Sequence, residues 1–187
     1  MIWPFRRKAT TETGAKYYIR DAAMADAKRL VEFKHRRWRE MFAHLKTEEF
    51  FAKAEATTEE QTKFWQSRIA KGDKVWIAED LHDQFVGTIH ATTNYSEHTA
   101  EFIELHELGA PHEIRFFYLA EQAAGTTIGQ ELLRVAVADE PAIVWVMGEA
   151  PLIQTSLTAA GFEPLGEPVE PSDEPWRGVP RQAMVRS

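Results

Sequence analysis

Cysteine is absent from the 187 residues, which excludes structural disulfides, thiolate metal sites and a cysteine nucleophile. No apolar stretch is long enough to cross a membrane or to serve as the core of a signal peptide. Basic charge is in short supply. Lys and Arg number 22 against 29 Asp and Glu, for a net charge of −7. Beyond the N-terminus no segment carries a basic excess that could neutralise phosphates, so a nucleic-acid partner is not expected. The acidic balance favours a cationic substrate such as an amine. H-E-x-x-H, G-x-S-x-G and G-x-x-x-x-G-K-[ST] are all missing, so zincin, serine-hydrolase and P-loop chemistry have no footing. His106 and His112 sit near Glu104, Glu107 and Glu113, but not at a metal-ligand spacing, and no metal is expected.

What is present suits one cytoplasmic domain: 44% of the residues are hydrophobic, enough for a core. Met1–Lys8 joins a small apolar cluster to three cations, and residues 1–15 read as a flexible tail, with a weak surface anchor as the alternative. The domain then runs over 16–187. Lys16–Arg20 reads as a strand, and Asp21 as the N-cap of a helix over Ala22–Phe33. A second helical run, His35–Leu45, carries Trp38, Met41, Phe42 and Leu45 on one face. Thr57-Thr58-Glu59-Glu60-Gln61 supplies capping-box chemistry for a helix over Glu59–Ala70. Lys74–Glu79 and Gln84–Thr92 form a hairpin around Leu81-His82-Asp83. Tyr95–His112 reads as a loop with an edge strand or short helix. Glu163–Pro180, with five prolines, reads as a long loop, and Arg181–Arg186 as a last strand.

The most informative stretch is Glu113–Phe162. Glu113–Leu119 is β-branched and aromatic, a strand. Gly125 and Gly129 then flank Thr126 and Thr127 just before an amphipathic helix bearing Leu132, Leu133, Val135 and Val137. Unpaired N–H groups in a turn that opens a helix, with the helix dipole behind them, bind phosphate without basic side chains. Ala142–Met147 is a buried strand, Pro151 opens a short helix, and Gly161 caps it.

Phe117-Tyr118-Leu119, the turn Ala124-Gly125-Thr126-Thr127-Ile128-Gly129 and the leucine-bearing helix resemble the acyl-CoA-binding half of the GNAT N-acetyltransferase superfamily. The start is similar too, with Ile19-Arg20, Ala23, Ala25 and Trp38-Arg39-Glu40. The resemblance implies an α/β fold: a mixed, mostly antiparallel, twisted sheet of six or seven strands with helices on both faces. It implies acetyl-CoA as co-substrate and direct transfer of an acetyl group to a primary amine of a small molecule or protein; a homodimer is compatible with it. The turn over Ala124–Gly129 would hold the pyrophosphate, and the backbone around Tyr118 and Leu119 would hold the pantetheine arm and the thioester oxygen. Glu113 falls where such proteins often carry the general base, with Glu104 and His106 in reserve. Trp38, Phe42 and Glu104 would touch the acceptor, and Trp176 and Arg177 border it.

Four positions depart from the pattern. Ala124 replaces the usual Arg or Gln of the turn, Thr127 replaces its middle glycine, and Leu157 stands where a tyrosine acid is frequent; the asparagine that often opens the short helix is Ala150. Losing a positioned acid typically costs about 10²–10⁴-fold in rate, although a thiol of pKa about 8.5 leaves readily as thiolate. The second reading is therefore a GNAT-fold protein that binds acyl-CoA or a partner without turnover, and the third an enzyme of altered acyl choice.

Overall fold

A computed structural model describes residues 7–10, 16–109, 111–172 and 174–187. Its strands are β1 (Arg7–Thr10), β2 (Lys16–Asp21), β3 (Val75–Glu79), β4 (Phe85–Thr92), β5 (His112–Leu119), β6 (Ala142–Met147), β7 (Glu163–Val169) and β8 (Arg181–Arg186). Among the described residues they form one sheet in the order β1-β2-β3-β4-β5-β6-β8-β7. β5 and β6 pair in parallel, and the remaining neighbours pair antiparallel. β2 to β8 meet the expected mixed sheet. β1 extends it at one edge and interrupts the tail expected over 1–15, whose other residues lie outside those described.

The helices are α1 (Ala27–Phe42), α2 (Glu48–Ala56), α3 (Thr58–Ala70), α4 (Glu97–Leu105), α5 (Ile128–Val137) and α6 (Pro151–Ala159). α5 and α6 cover one face of the sheet. There Ile128, Leu132, Leu133 and Leu157 pack with Val86, Ile89, Phe117 and Leu119 into a continuous core. α1 and α3 cover the other face, where Leu30 and Phe33 meet Val75, Ile77 and Phe85, with Trp65 and Phe116 packed alongside.

Several elements differ from expectation for identifiable reasons. The two helical runs expected over 22–45 are one helix, α1, because Lys34-His35-Arg36-Arg37 contains no breaker and His35 and Arg37 turn inward. Asp21 ends β2 and caps nothing; Asp26 does the capping, its Oδ2 accepting from Ala23 N–H at 2.8 Å. Arg20 holds Asp26 through Nη1 and Nη2 at 2.6 and 2.8 Å, and Glu79 through Nε and Nη2 at 2.7 and 2.9 Å. The hydrogen bond to Asp26 raises the guanidinium pKa despite burial, and Arg29, 3.3 Å from Glu79 and 3.8 Å from Asp26, supplies the second cation, so the cluster ties α1 to the sheet as a balanced unit.

α2 had no counterpart in the sequence reading, although Thr47 caps it by accepting from Phe50 N–H at 3.4 Å. Thr57 hydroxyl closes α2, donating to Ala54 O at 2.6 Å, rather than opening α3. The long loop expected over Glu163–Pro180 begins with β7, which tolerates Pro164 and Pro168 because it is an edge strand.

Candidate functional site

β5 and β6 are paired over three positions only, His112–Ala142, Glu113–Ile143 and Ile114–Val144. Past Ile114 they separate, leaving a wedge. Ala120 N–H donates to Val86 O at 2.8 Å on the β4 side. The alternation of an antiparallel ladder then turns the backbone of Tyr118 toward β4 and the backbones of Phe117 and Leu119 into the wedge. The backbone donors expected around Tyr118 and Leu119 are thus narrowed to Phe117 and Leu119. A small cavity of about 70 Å³ fills the wedge, with Phe117, Tyr118, Val146 and Ile153 among its walls and Phe42 at its back.

The register of β4 against β5 slips between His90 and Ala91, so that Arg115 is an extra residue with no opposite. This bulge reverses the facing of the strand. Ile114, Phe117 and Leu119 face the α5 core, while Phe116 and Tyr118 face α1 and α3. Arg115, Phe116 and Tyr118 line both the wedge cavity and a larger one of about 420 Å³ under α1 and α3. The larger cavity is walled by Leu30, Val31, Phe64 and Trp65, with Lys34, Gln61, Arg68 and His90 as its other polar groups. At the junction Trp38 Nε1–H donates to the Tyr118 hydroxyl at 2.9 Å. Enclosure pushes that hydroxyl up to about 12, against the opposing effect of the Trp38 hydrogen bond, so Tyr118 stays protonated at neutral pH.

His90, 2% exposed, packs edge-on to Trp65 and against Phe116. Its Nδ1 lies 3.0 Å from Lys74 O, which can only accept, so Nδ1 carries the proton. Burial holds the ring below the usual histidine range. A neutral imidazole of this tautomer has its lone pair on Nε2.

Glu113 requires a correction. Its carboxylate is 4% exposed and fully engaged. Oε1 accepts from the Ser96 and Thr99 hydroxyls at 2.8 Å each, and Oε2 accepts from Ser96 N–H at 2.8 Å and pairs with Arg115 Nε at 3.0 Å. Those bonds satisfy its acceptor capacity and fasten the N-terminus of α4, leaving no lone pair directed at a substrate proton. Glu104, on the exposed side of α4, lines neither cavity, and His106 packs against Phe102 with ring centroids 4.2 Å apart and planes tilted by 41°. Phe42, 1% exposed, packs against Trp176 of the C-terminal segment at 5.4 Å and lines the wedge cavity, and Trp176 meets Trp38 at 4.7 Å. Arg177 is exposed and accepts through its carbonyl from Lys46 Nζ at 2.7 Å.

The turn before α5 is present but differently used. Ala124 and Gly125 are exposed, and Gly125 adopts a φ of 67°, the left-handed region that favours glycine. Thr126 hydroxyl donates to Ala123 O at 2.7 Å and accepts from Ile128 N–H at 3.3 Å, so one helix-opening donor already has a partner. Ile128 puts its side chain into the core. Gly129 is glycine for packing: a Cβ there would lie 2.1 Å from Ser156 Oγ and 2.6 Å from Ser156 Cβ, so α5 and α6 touch through it. Leu157 is wholly buried in the same core, where a tyrosine hydroxyl would meet apolar neighbours. Among the described residues no three His, Asp or Glu side chains gather as a metal set, and no helix is long and apolar enough to cross a membrane.

Sequence reasoning did not single out Lys34, Arg68, His90 or Arg115. They come from four separate elements, α1, α3, β4 and β5, and only the bulge and the hollow under α3 bring them together.

No family model matches the chain, and none of the curated proteins does. Solved structures do match. A GNAT-family acetyltransferase from Listeria monocytogenes aligns with a TM-score of 0.60 at 13% identity, covering 96% of this chain and 100% of that one. A ribosomal-protein-S5-alanine acetyltransferase from Vibrio fischeri aligns at 0.57 and 13%, covering 97% and 96%. A GNAT-superfamily phosphinothricin acetyltransferase from Sinorhizobium meliloti, solved with acetyl-CoA, aligns at 0.59 and 19%, covering 91% and 87%. At such identities the likeness is one of architecture: the chain has the GNAT fold.

Proposed function

We propose that the chain is an acetyl-CoA-dependent N-acyltransferase that moves an acetyl group directly to a primary amine, with 16–187 as one acyltransferase domain. The observation that carries this reading is the wedge. Its open strand edge offers the backbone of Phe117 and Leu119 to a pantetheine arm, and the turn Ala124–Gly129 stands beyond it at the start of α5 for the pyrophosphate. Acetyl-CoA bound to a protein of the same fold supports the choice of co-substrate.

An amine of pKa about 10.4 must lose a proton before it attacks a thioester. In this reading His90 Nε2 is the acceptor of that proton, in place of Glu113, because burial keeps the ring neutral and it lines the cavity next to the wedge. A backbone N–H in the wedge stabilises the thioester oxygen as charge develops on it. The sulfur leaves as thiolate or takes the proton of Tyr118, the enclosed hydroxyl at the junction of the two cavities.

A second reading is favoured by the occupied Ile128 N–H and the apolar surroundings of Leu157: a protein that binds acyl-CoA without turnover. Isothermal titration with acetyl-CoA and with free CoA separates the outcomes. Micromolar binding is expected, and release of free thiol in the presence of an amine then distinguishes enzyme from binder. Absence of binding at millimolar ligand would overturn both.

A further inference from the structure

The chain as a whole is acidic, yet the 420 Å³ cavity under α1 and α3 is lined by three cations, Lys34, Arg68 and Arg115, and by no Asp or Glu. The two arginines have carboxylate partners behind the wall, Asp73 for Arg68 and Glu113 for Arg115, which fix their side chains in place. Lys34 is different. Its Nζ donates to Gln61 Oε1 and lies 4.5 Å from the Trp38 ring, and among the described residues no carboxylate oxygen comes within 4.0 Å of it. The ion cluster in which Arg20 and Arg29 face Asp26 and Glu79 shows how this fold balances charge when the purpose is structural. At Lys34 the balance is left open, and desolvation holds the ammonium down to about 8, so it is still mostly charged at neutral pH. Most of the remaining wall is apolar, from Leu30 and Val31 and the aromatic Phe64, Trp65, Phe116 and Tyr118, and the volume falls in the range of small-molecule sites.

We infer that this cavity binds a small molecule with an apolar, ring-sized body and an acidic group, and that Lys34 pairs with the acid. Under the acyl-transfer reading, on which this last step rests, the acceptor is an amine that also carries a carboxylate, with its amino end at the junction by Tyr118. The local lining thus reverses the substrate preference that net charge suggests. Favourable pairing with an anion would compensate an ammonium that gains little from solvent where it sits.

The test is binding in the absence of any CoA species, followed by tryptophan fluorescence, with three probes: 3-phenylpropanoate (acid only), 2-phenylethylamine (amine only) and phenylalanine (both). The two acids are expected to bind at least about tenfold more tightly than 2-phenylethylamine, in keeping with one charge-assisted pair. Lys34→Met should lose about tenfold or more in affinity for 3-phenylpropanoate, Lys34→Arg should retain most of it, and both should titrate with CoA like the parent. Equal or tighter binding of 2-phenylethylamine, unchanged binding of the acid by a folded Lys34→Met protein, or binding of none of the three at millimolar concentration would each overturn the inference. Failure of CoA to bind would instead count against acyl transfer and leave the acid site standing.

Discussion

The two faces of the sheet are each covered by a pair of helices and serve opposite ends. On the α5–α6 face, Ile128, Leu132, Leu133 and Leu157 have no exposure at all, and α5 and α6 touch so closely that Gly129 leaves no room for a side chain. On the other face α3 contributes no fully buried residue, Phe64 is 52% exposed, and a hollow remains between α3 and the sheet. Polar groups divide in the same way. Where a charge serves the fold, as in Arg20 with Asp26 and Glu79 or in Glu113 with Arg115, it is matched inside the protein. Where the hollow lies, a lysine is left unmatched. Close packing builds stability, and the face that forgoes it keeps space and charge for a ligand.

Breaking the filled face should have the largest effect. Leu132→Ala is expected to destabilise by about 2–5 kcal/mol, the range for truncating a buried leucine, while leaving CoA affinity intact at low temperature; urea unfolding and titration check both halves. A smaller shift, about 1.5–3 kcal/mol, is expected of Glu113→Gln, which removes a charged acceptor from Ser96, Thr99 and Arg115. If Glu113 is an anchor, any turnover of the folded variant survives; if turnover vanishes while the melting temperature is unchanged, the original assignment as base stands. The smallest effect is a pH dependence. His35 is buried with Nε2 unpartnered among the described residues and is held down to about 4, chiefly by desolvation and secondarily by Lys34. The unfolded chain, with histidine near its ordinary ~6.5, therefore binds the proton first. Its contribution to stability is full above about pH 6.5 and declines as pH falls toward 4. Denaturation midpoints at pH 7 and pH 4.5 should differ less in His35→Leu than in the parent.

The filled face was legible in the sequence and the hollow one was not. Leu132, Leu133 and Val137 repeat at helical spacing, Ala142–Met147 is an uninterrupted apolar strand, and Pro151 and Gly161 punctuate α6, so periodicity and punctuation alone locate that half. The hollow depends on a bulge at Arg115, which no spacing rule announces, and on α3 standing off the sheet, which is a matter of packing. Glu113 shows the limit most plainly. A carboxylate at a strand start reads as a candidate base, and only the Ser96 and Thr99 hydroxyls, from another element, reveal it as the anchor beneath the N-terminus of α4. His90 reads as one alternating residue in a strand until Lys74 O fixes its tautomer.

The short parallel pairing of β5 with β6 has a mechanical side. The sheet's backbone ladder divides there into a leaf of β1 to β5 and a leaf of β6, β8 and β7, joined by only three residue pairs, while side chains bridge the leaves through the core under α5 and α6 and through Trp176. A ligand lying along the open edge would act as a missing rung between the leaves. Its binding energy would then be shared by both, and the unfolding of one leaf would be coupled to the other through the ligand. Occupancy of the wedge would thereby set how far the two leaves behave as a single cooperative body.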